Sequence, residues 1–307
     1  MSGFHFVEGE TPLKPKKKAR PFLKWAGGKT QLIEEISVKF PFKSSEKFSY
    51  YEPFVGGGAV LFWVLQNFPQ VTSAHINDIN TDLTNCYTQI RDSIDPLINI
   101  LKKLEVQFLK KDDEGRSRFF YEKRDEFNRK RVAKVKRAAL LIFLNKTCFN
   151  GLYRVNRKNE FNVPVGRYKN PTICDSDNLV KISQLLDKVE IYNSDFYKLL
   201  PNNHERNLVY LDPPYKPINK TSNFNNYAQG GFDDSEQVRL KEYCDKLTEE
   251  KCYWILSNSD VKTQDNPDLF FDELYADYKI NRVLANRRIN TDAKKRGSLN
   301  ELLITNY

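Results

Sequence analysis

The strongest constraint on the fold of this chain is the alternation of short apolar runs with helical patterns, several of the runs ending on an acidic residue. The runs lie at residues 49–54, 73–79, 189–196, 207–215 and 252–259, and two more close the chain at 278–285 and 301–307. Strands that alternate with helices predict a mostly parallel sheet covered by helices on both faces. We therefore expect an α/β fold with a doubly wound sheet.

A glycine turn follows the first of these runs, where the sequence FVGGGAV opens an apolar helix. The backbone N–H groups at the start of such a helix favour an anionic group. Gly56 and Gly58 supply a G-x-G pattern, but Leu61 occupies the position of the third glycine in the dinucleotide-binding fingerprint. Asp78, which ends the next strand, suits either recognition of a ribose diol or the capping of the following helix. The pattern predicts a binding site for NAD, FAD or S-adenosylmethionine and supports the three about equally.

A second motif, Asp212-Pro213-Pro214-Tyr215, ends the apolar run at residues 207–211. The carboxyl end of a parallel strand faces the crevice in which open sheets bind ligands, and two prolines hold the backbone there. An exocyclic amine on a nucleic-acid base is a poor nucleophile because its lone pair is delocalised into the ring. The Asp212 carboxylate and the Pro213 carbonyl can each accept one amine hydrogen and direct that lone pair at a methyl donor. Tyr215 can stack on a base taken out of the helix, so the motif favours base methylation over a plain rigid turn.

The net charge of +9 is concentrated in one segment. Residues 128–169 contain twelve Lys or Arg residues and one acid, Glu160, which gives a local charge of +11. The same segment carries aromatic, Asn and Gly residues. It therefore favours a polyanionic partner such as nucleic acid over a merely solvated face.

An insertion of about 80 residues, which contains this basic segment, interrupts the alternation of strands and helices. Helical patterns run from about residue 95 to 148, and residues 151–164 alternate around the turn sequence NRKN, which predicts a β-hairpin. The expected domains are a flexible basic leader (1–20), a catalytic domain (21–92 and 170–307) and a target-recognition insertion (93–169).

Several kinds of site are not predicted. The five cysteines and three histidines are scattered, with no CxxC pair, so no metal site is expected. No apolar run is long enough to span a membrane, and no secretory signal is recognised. We expect a reduced, cytoplasmic protein that holds no metal, does not contact a membrane and is monomeric when free.

Four stretches resemble, in order, the Dam family of DNA adenine-N6 methyltransferases. They are FLKWAGGK (22–29), YYEPFVGGGAV (50–60), NGLYRVNRKNEFNVPVGRYKNP (150–171) and DPPY (212–215). The likeness extends from about residue 21 to Tyr307, which is almost the whole chain. It implies a doubly wound methyltransferase sheet that transfers a methyl group from S-adenosylmethionine to N6 of a flipped adenine in double-stranded DNA, with GATC as the expected site.

The resemblance also implies roles for single residues. Asp212, Pro213, Pro214 and Tyr215 match the catalytic motif. The positions that match S-adenosylmethionine contacts are Trp25, Lys29, Phe54, Gly56, Gly58, Asp78, Asp195, Phe196 and Asp212. The positions that match DNA contacts are Lys24, Phe149, Asn150, Leu152, Arg154, Asn156, Pro164 and Arg167. Phe149 stands where an aromatic ring can enter the base stack, and Arg154 and Arg167 suit either guanine or phosphate.

Two features depart from the family pattern, and two other functions stay open. Asn219 stands where many members have a serine, in a stretch after DPPY that we expect to be a mobile loop, and the lysine-rich leader lies outside the shared pattern.

An RNA base methyltransferase is the rival enzyme, disfavoured by a hairpin suited to the major groove of B-form DNA. A non-catalytic DNA-binding protein of the same fold is the rival from another class.

Overall fold

The computed structural model describes residues 18–129, 131–201, 206–216, 232–262, 268–286 and 298–307. Most of the predicted leader, Asn219 and most of the stretch that follows DPPY lie outside the described residues. The motifs FLKWAGGK, FVGGGAV and DPPY all lie within them.

Within the described residues, one mixed sheet forms the centre of the fold. Its seven strands are β1 (Phe48–Glu52), β2 (Val71–Asn77), β3 (Val189–Tyr192), β4 (Asn207–Leu211), β5 (Tyr253–Ser259), β6 (Lys279–Asn286) and β7 (Ser298–Thr305). Their order across the sheet is β3-β2-β1-β4-β5-β7-β6. The four pairings among the first five strands are parallel, whereas β7 pairs antiparallel with both β5 and β6. The predicted α/β fold with a mostly parallel sheet is confirmed.

Helices connect these strands. The described helices are α1 (Ile33–Lys39), α2 (Ala59–Asn67), α3 (Thr81–Asp92), α4 (Ile94–Leu109), α5 (Asp113–Asn128), α6 (Lys134–Thr147), α7 (Ser176–Leu186), α8 (Asp234–Glu249) and α9 (Phe270–Leu274). Side-chain caps fix where several of them begin. The Asn80 side chain, for example, accepts the N–H groups of Asp82 and Leu83 at the start of α3. The cap of α3 is thus Asn80 and not Asp78.

Both faces of the central strands are buried. Successive residues of a strand point to opposite faces, and in β4 Leu208 and Tyr210 join one hydrophobic cluster while Val209 and Leu211 join the other. Helices α1 to α7 contribute to the first cluster, and α8 and α9 contribute to the second. Because neither face of β1, β4 and β5 is open to water, these central strands read as largely apolar runs in the sequence.

The helices of the predicted insertion (93–169) share the first of these clusters. Helix α6 packs against α3, α4 and α5, and its residues from Ala138 to Leu144 are all buried. A helix that is apolar on all sides belongs in the interior of a protein. The helical part of the segment is therefore continuous with the core of the sheet, and the domain boundaries at residues 93 and 169 stay a prediction.

The predicted hairpin is present as a turn with isolated bridges and not as two regular strands. Val155 pairs antiparallel with Phe161. Between them, the Asn156 side-chain oxygen accepts the N–H groups of Lys158 and Glu160 at 2.9 and 3.0 Å. A side chain that bonds to its own turn competes with the strand ladder, which explains the short pairing.

We expect Gly58→Ala to lower the free energy of unfolding by about 2–4 kcal/mol. Gly58 precedes α2 with φ +74°, and a Cβ there would lie 2.5 Å from the Tyr87 hydroxyl. A left-handed backbone disfavours an L-residue by about 1–2 kcal/mol, and overpacking adds a similar amount. Urea denaturation of the wild type and the variant measures the change.

Gly28→Ala is the matched control for this measurement. Gly28 lacks a positive φ, and a Cβ there would meet the Trp25 carbonyl oxygen at 3.5 Å, an ordinary contact. Equal losses of stability in the two variants would contradict the role given to the left-handed conformation of Gly58.

Candidate active site

The order of the strands brings the two predicted motifs together. Strand order reverses at β1, which lies between β2 and β4, and ligands of open α/β sheets bind at the carboxyl edge where such a reversal occurs. The glycine turn at residues 55–58 follows β1, and DPPY follows β4. Since β1 and β4 are parallel neighbours, both motifs leave the same edge of the sheet.

The glycine turn is held against the end of β2 by an acid. Asp78 accepts the Gly56 N–H at 3.1 Å through one carboxylate oxygen and the Asn80 N–H at 2.9 Å through the other. Burial raises the pKa of Asp78 to about 6, and these two N–H donors oppose the rise. The Tyr87 hydroxyl donates to the Gly56 carbonyl at 2.9 Å. The turn is therefore rigid, with a carboxylate at its side.

Trp25 lies between this turn and the basic segment. A Cβ on Gly56 would lie 3.1 Å from Trp25 Cδ1, so the indole contacts the glycine backbone directly. On its other side the indole stacks on Tyr153, with ring centroids 5.0 Å apart and planes 28° from parallel. The residue thus joins the predicted cofactor side of the site to the predicted recognition side.

The third predicted cofactor element lies at the end of β3. Phe196 is only 5% exposed and packs in the core 5.1 Å from the half-buried Phe54 ring. Asp195 forms an ion pair with Arg239 and caps the short 3₁₀ turn that begins at Phe196, accepting the Tyr197 N–H at 3.0 Å. The Phe54 side chain is therefore more exposed than that of Phe196.

An ion pair fixes the acid of DPPY. Lys29 Nζ lies 2.7 Å from Asp212 Oδ1, and the lysine is 4% exposed. The same ammonium donates to the Gly27 carbonyl at 2.6 Å and lies 4.5 Å from the centroid of the Tyr215 ring. Ser257 Oγ also donates to Asp212 Oδ1, at 3.0 Å. Burial raises the pKa of Asp212 above its ordinary value, and the Lys29 and Ser257 donors oppose the rise.

A buried asparagine, which no sequence motif indicated, connects the first motif to the predicted recognition segment. Asn145 is 1% exposed, and its side chain accepts the Lys24 N–H at 2.9 Å while donating to the Lys24 and Gly151 carbonyls at 2.9 and 2.8 Å. Gly151 has φ +65°, and a Cβ there would lie 2.4 Å from Lys24 Cδ. Asn145 lies in the apolar stripe of α6, so only an unexplained polar residue within that stripe could have indicated it.

The tight turn at residues 149–151 displays an aromatic side chain. Asn150 has φ +55°, and Phe149 is 49% exposed, an unusual exposure for a large apolar ring. The Phe149 N–H donates to the Pro164 carbonyl at 2.9 Å, which anchors the turn to the far side of the predicted hairpin. The ring therefore projects from a fixed backbone.

The remaining predicted DNA contacts are largely exposed. The exposed ones are Lys24, Asn150, Arg154, Asn156, Pro164 and Arg167, while Leu152 is half-buried. Arg154 Nε donates to Asn162 Oδ1 at 2.8 Å, and the Asn156 side chain is engaged within its own turn. The Lys24 ammonium lies 5.4 Å from the Tyr168 ring centroid. These contacts bring the two sides of the predicted recognition segment next to the first motif.

Part of the basic excess is neutralised by acids elsewhere in the chain. Arg137 holds Asp82 of α3 with a pair of hydrogen bonds of 2.5 and 2.9 Å, and its guanidinium also donates to the Phe127 carbonyl. Lys136 forms an ion pair with Glu126 of α5. From composition alone, Arg137 and Lys136 would be counted as part of a nucleic-acid-binding surface. Their ion pairs with Asp82 and Glu126 show that they instead stabilise the packing of the helices.

In the part of the chain that the structure describes, no group of three or more His, Cys, Asp or Glu side chains is arranged to hold a metal ion. Across the same residues, none of the helices has the length and apolar character needed to cross a membrane.

The sheet order, the glycine turn and the Asp-Pro-Pro-Tyr loop together define a class of enzyme. The family model of the D12 class N6 adenine-specific DNA methyltransferases matches residues 25–289. The chain belongs to this family. The predicted resemblance and the predicted activity, an adenine-N6 DNA methyltransferase, are confirmed, and the alternative of an RNA base methyltransferase is set aside.

Individual relatives agree with this assignment. The chain is 47% identical over 295 residues to the type II methyltransferase M.MjaIII of Methanocaldococcus jannaschii, covering 94% of this chain and 100% of that protein. It is 37% identical to the type II methyltransferase M1.LlaDCHI of Lactococcus lactis subsp. cremoris, covering 96% and 98%. It is 36% identical to the DNA adenine methylase of Haemophilus influenzae, covering 95% of each chain.

We expect Asn145→Ala to lower the free energy of unfolding by about 2–4 kcal/mol, because it leaves the Lys24 N–H and the Lys24 and Gly151 carbonyls without their partner. Asn85→Ala is the control, since that side chain makes a single exposed bond to the Lys134 carbonyl. Thermal and urea denaturation measure both changes. A loss in Asn145→Ala no larger than in Asn85→Ala would contradict the linking role of Asn145.

Proposed function

We propose that this methyltransferase transfers the methyl group of S-adenosylmethionine to N6 of an adenine that has been flipped out of duplex DNA. The observation that carries this proposal is the Asp212 side chain, which Lys29 and Ser257 hold through one oxygen at the carboxyl edge of β4. The proposal for the target sequence is GATC, which rests on the likeness of the four motifs to the Dam family.

The residues at the reversal point fit S-adenosylmethionine. The Asp78 carboxylate beside the glycine turn suits the ribose hydroxyls, and the open side of Phe54 suits the adenine ring. A side chain at Gly56 would meet Trp25 at 3.1 Å, so the glycine lets the indole pack closely against the turn beside Asp78. When bound, this cofactor supplies an electrophilic methyl group on a sulfonium sulfur.

The acceptors of the Asp-Pro-Pro-Tyr loop activate the adenine amine. The carboxylate of Asp212 and the carbonyl of Pro213 each accept one N6 hydrogen, which withdraws the nitrogen lone pair from the ring and aims it at the methyl carbon. As the new N–C bond forms and the old C–S bond breaks, the nitrogen becomes cationic and then loses a proton to solvent or to a neighbouring acceptor. The Tyr215 ring supports the flipped base by stacking.

The exposed recognition segment is proposed to hold the duplex. The Phe149 ring, which projects from the turn at residues 149–151, enters the base stack in place of the flipped adenine. Arg154 and Arg167 are exposed, and no acid among the described residues pairs with either. They are therefore available for guanine edges or phosphates.

We expect Asp212→Ala to abolish methylation while the protein stays folded, because the amine loses its charged acceptor. The assay incubates random-sequence duplex DNA with labelled S-adenosylmethionine and maps the modified adenines, which in the wild type should lie in GATC. Asp187→Ala, which removes an exposed acid at the end of α7, should keep full activity. Full methylation by Asp212→Ala would refute the mechanism, and wild-type methylation at another sequence would refute GATC.

The DNA surface is tested by two arginines that contribute equally to the local charge. We expect Arg167→Gln to weaken DNA binding and, if the residue contacts a phosphate, to lower the slope of log K against log salt by about 0.9. Arg137→Gln should leave DNA affinity within about twofold but lower the melting temperature, because its partner is Asp82. Fluorescence anisotropy at several salt concentrations measures both. Equal losses of DNA affinity would show that Arg137 belongs to the binding surface.

A further inference from the structure

The loop that carries DPPY lacks regular secondary structure, yet neighbouring side chains fix it. Residues 212–216 follow β4, and the carboxyl end of β5 lies beside them. Three consecutive residues of β5, Ser257, Asn258 and Ser259, are polar and at most 2% exposed. Buried polar side chains need hydrogen-bond partners, and these three find theirs in or next to the loop.

Ser257 holds the side chain of the catalytic acid. Its hydroxyl donates to Asp212 Oδ1 at 3.0 Å, and it also lies 3.1 Å from the Tyr210 hydroxyl. A serine hydroxyl has one proton, so when that proton goes to Asp212 the Tyr210 hydroxyl donates to Ser257. The result is a buried chain of donors that ends on a single carboxylate oxygen.

Asn258 and Ser259 hold the backbone of the same loop. Ser259 Oγ donates to the Lys216 carbonyl at 2.7 Å. Asn258 Nδ2 donates to Gln237 Oε1 at 3.1 Å, and Gln237 Nε2 in turn donates to the Pro214 carbonyl at 3.2 Å. Two loop carbonyls are therefore already occupied.

A fourth anchor comes from the next strand of the sheet. The Tyr215 hydroxyl donates to Glu301 Oε2 at 2.8 Å, and Glu301, on β7, is 7% exposed. Lys29 lies 4.5 Å from the centroid of the Tyr215 ring. The hydroxyl bond and this cation together restrict the rotation of the ring.

These anchors leave two acceptors of the loop unused. Among the described residues, no donor bonds to Asp212 Oδ2 or to the Pro213 carbonyl, whereas Asp212 Oδ1 and the carbonyls of Pro214 and Lys216 are all engaged. The two unused acceptors are those that the proposed function assigns to the adenine amine. Which acceptors stay unused therefore depends on which atoms Lys29, Gln237 of α8 and the serines of β5 reach.

We propose that Ser257, Asn258, Ser259 and Glu301 are positioning residues for methyl transfer. Ser257 and Ser259 directly, and Asn258 through Gln237, occupy other acceptors of the loop, while Glu301 accepts the Tyr215 hydroxyl. Asp212 Oδ2 and the Pro213 carbonyl are thereby left directed at the amine. This proposal rests on the proposed function, because it takes Asp212 and Pro213 to be the acceptors of the amine hydrogens. The four residues act through the loop and do not touch the base.

The decisive variant is Ser257→Ala. It should lower kcat for methylation at least about tenfold, with a much smaller change in KM for DNA, because the loop stays in place while the carboxylate turns. Loss of a donor to the carboxylate raises the pKa of Asp212. The acid limb of the kcat profile, where activity disappears as Asp212 becomes protonated, should therefore move to higher pH.

Thr305→Val is the matched control, since Thr305 is also a buried hydroxyl residue, on β7, and bonds to the Tyr307 carbonyl away from the loop. Melting temperatures of both variants separate lost stability from lost positioning. Wild-type kcat and an unshifted pH profile in Ser257→Ala would overturn the proposal, as would an equal loss of kcat in Thr305→Val.

Glu301 is tested by a conservative pair. Glu301→Gln keeps an acceptor for the Tyr215 hydroxyl and should retain most of kcat. Glu301→Ala removes that acceptor and should lose most of kcat. Tyr215→Phe combined with Glu301→Ala should cost less than the sum of the two single changes, since both remove one hydrogen bond. Additive losses would overturn this part. If Asp212→Ala itself stayed active, the proposed function would fail, which differs from failure of the positioning residues alone.

Discussion

The contact between Lys29 and Asp212 determines how the rest of the site is arranged. A buried ammonium needs an opposite charge and further acceptors, and Lys29 finds both in Asp212 and the Gly27 carbonyl. Because the two ends of this ion pair are far apart in sequence, satisfying it draws the KWAGGK loop onto the carboxyl edge of β4. Asn145 also holds the same loop, so one charge pair and one amide locate the first motif between the sheet and the predicted recognition segment.

Much of the fold could be predicted from the sequence because local patterns carry it. A run such as NLVYL is apolar on both faces, which requires a strand covered on both sides, and Asp212 and the two prolines mark where it ends. The family followed from four motifs in order. In sequence Ser257 and Glu301 show only as polar residues beside apolar runs. Their roles could not be predicted, because their contacts with the DPPY loop span 45 and 86 residues.

The net charge of the basic segment was informative, but it did not identify which of its basic residues are exposed. The excess of basic residues favoured a nucleic-acid partner, and the chain belongs to a family of DNA methyltransferases, but the excess could not show which cations face outward. Arg137 meets Asp82, 55 residues away, only after α3 and α6 pack together. Likewise the alternation at residues 151–164 predicted two strands, whereas the Asn156 side chain takes the N–H groups of the turn and leaves an isolated bridge between Val155 and Phe161.

The shared core of α3 and α6 has a consequence for protein engineering. One route to a new target sequence in such an enzyme is to graft the predicted recognition segment of a relative onto its catalytic scaffold. Here a graft cut at the edges of the basic segment would separate Asn145 from Lys24, and Arg137 from Asp82. A viable chimaera would have to carry the first motif and the matching face of α3 along with the segment, so the transferable unit is discontinuous in sequence although it is contiguous in space.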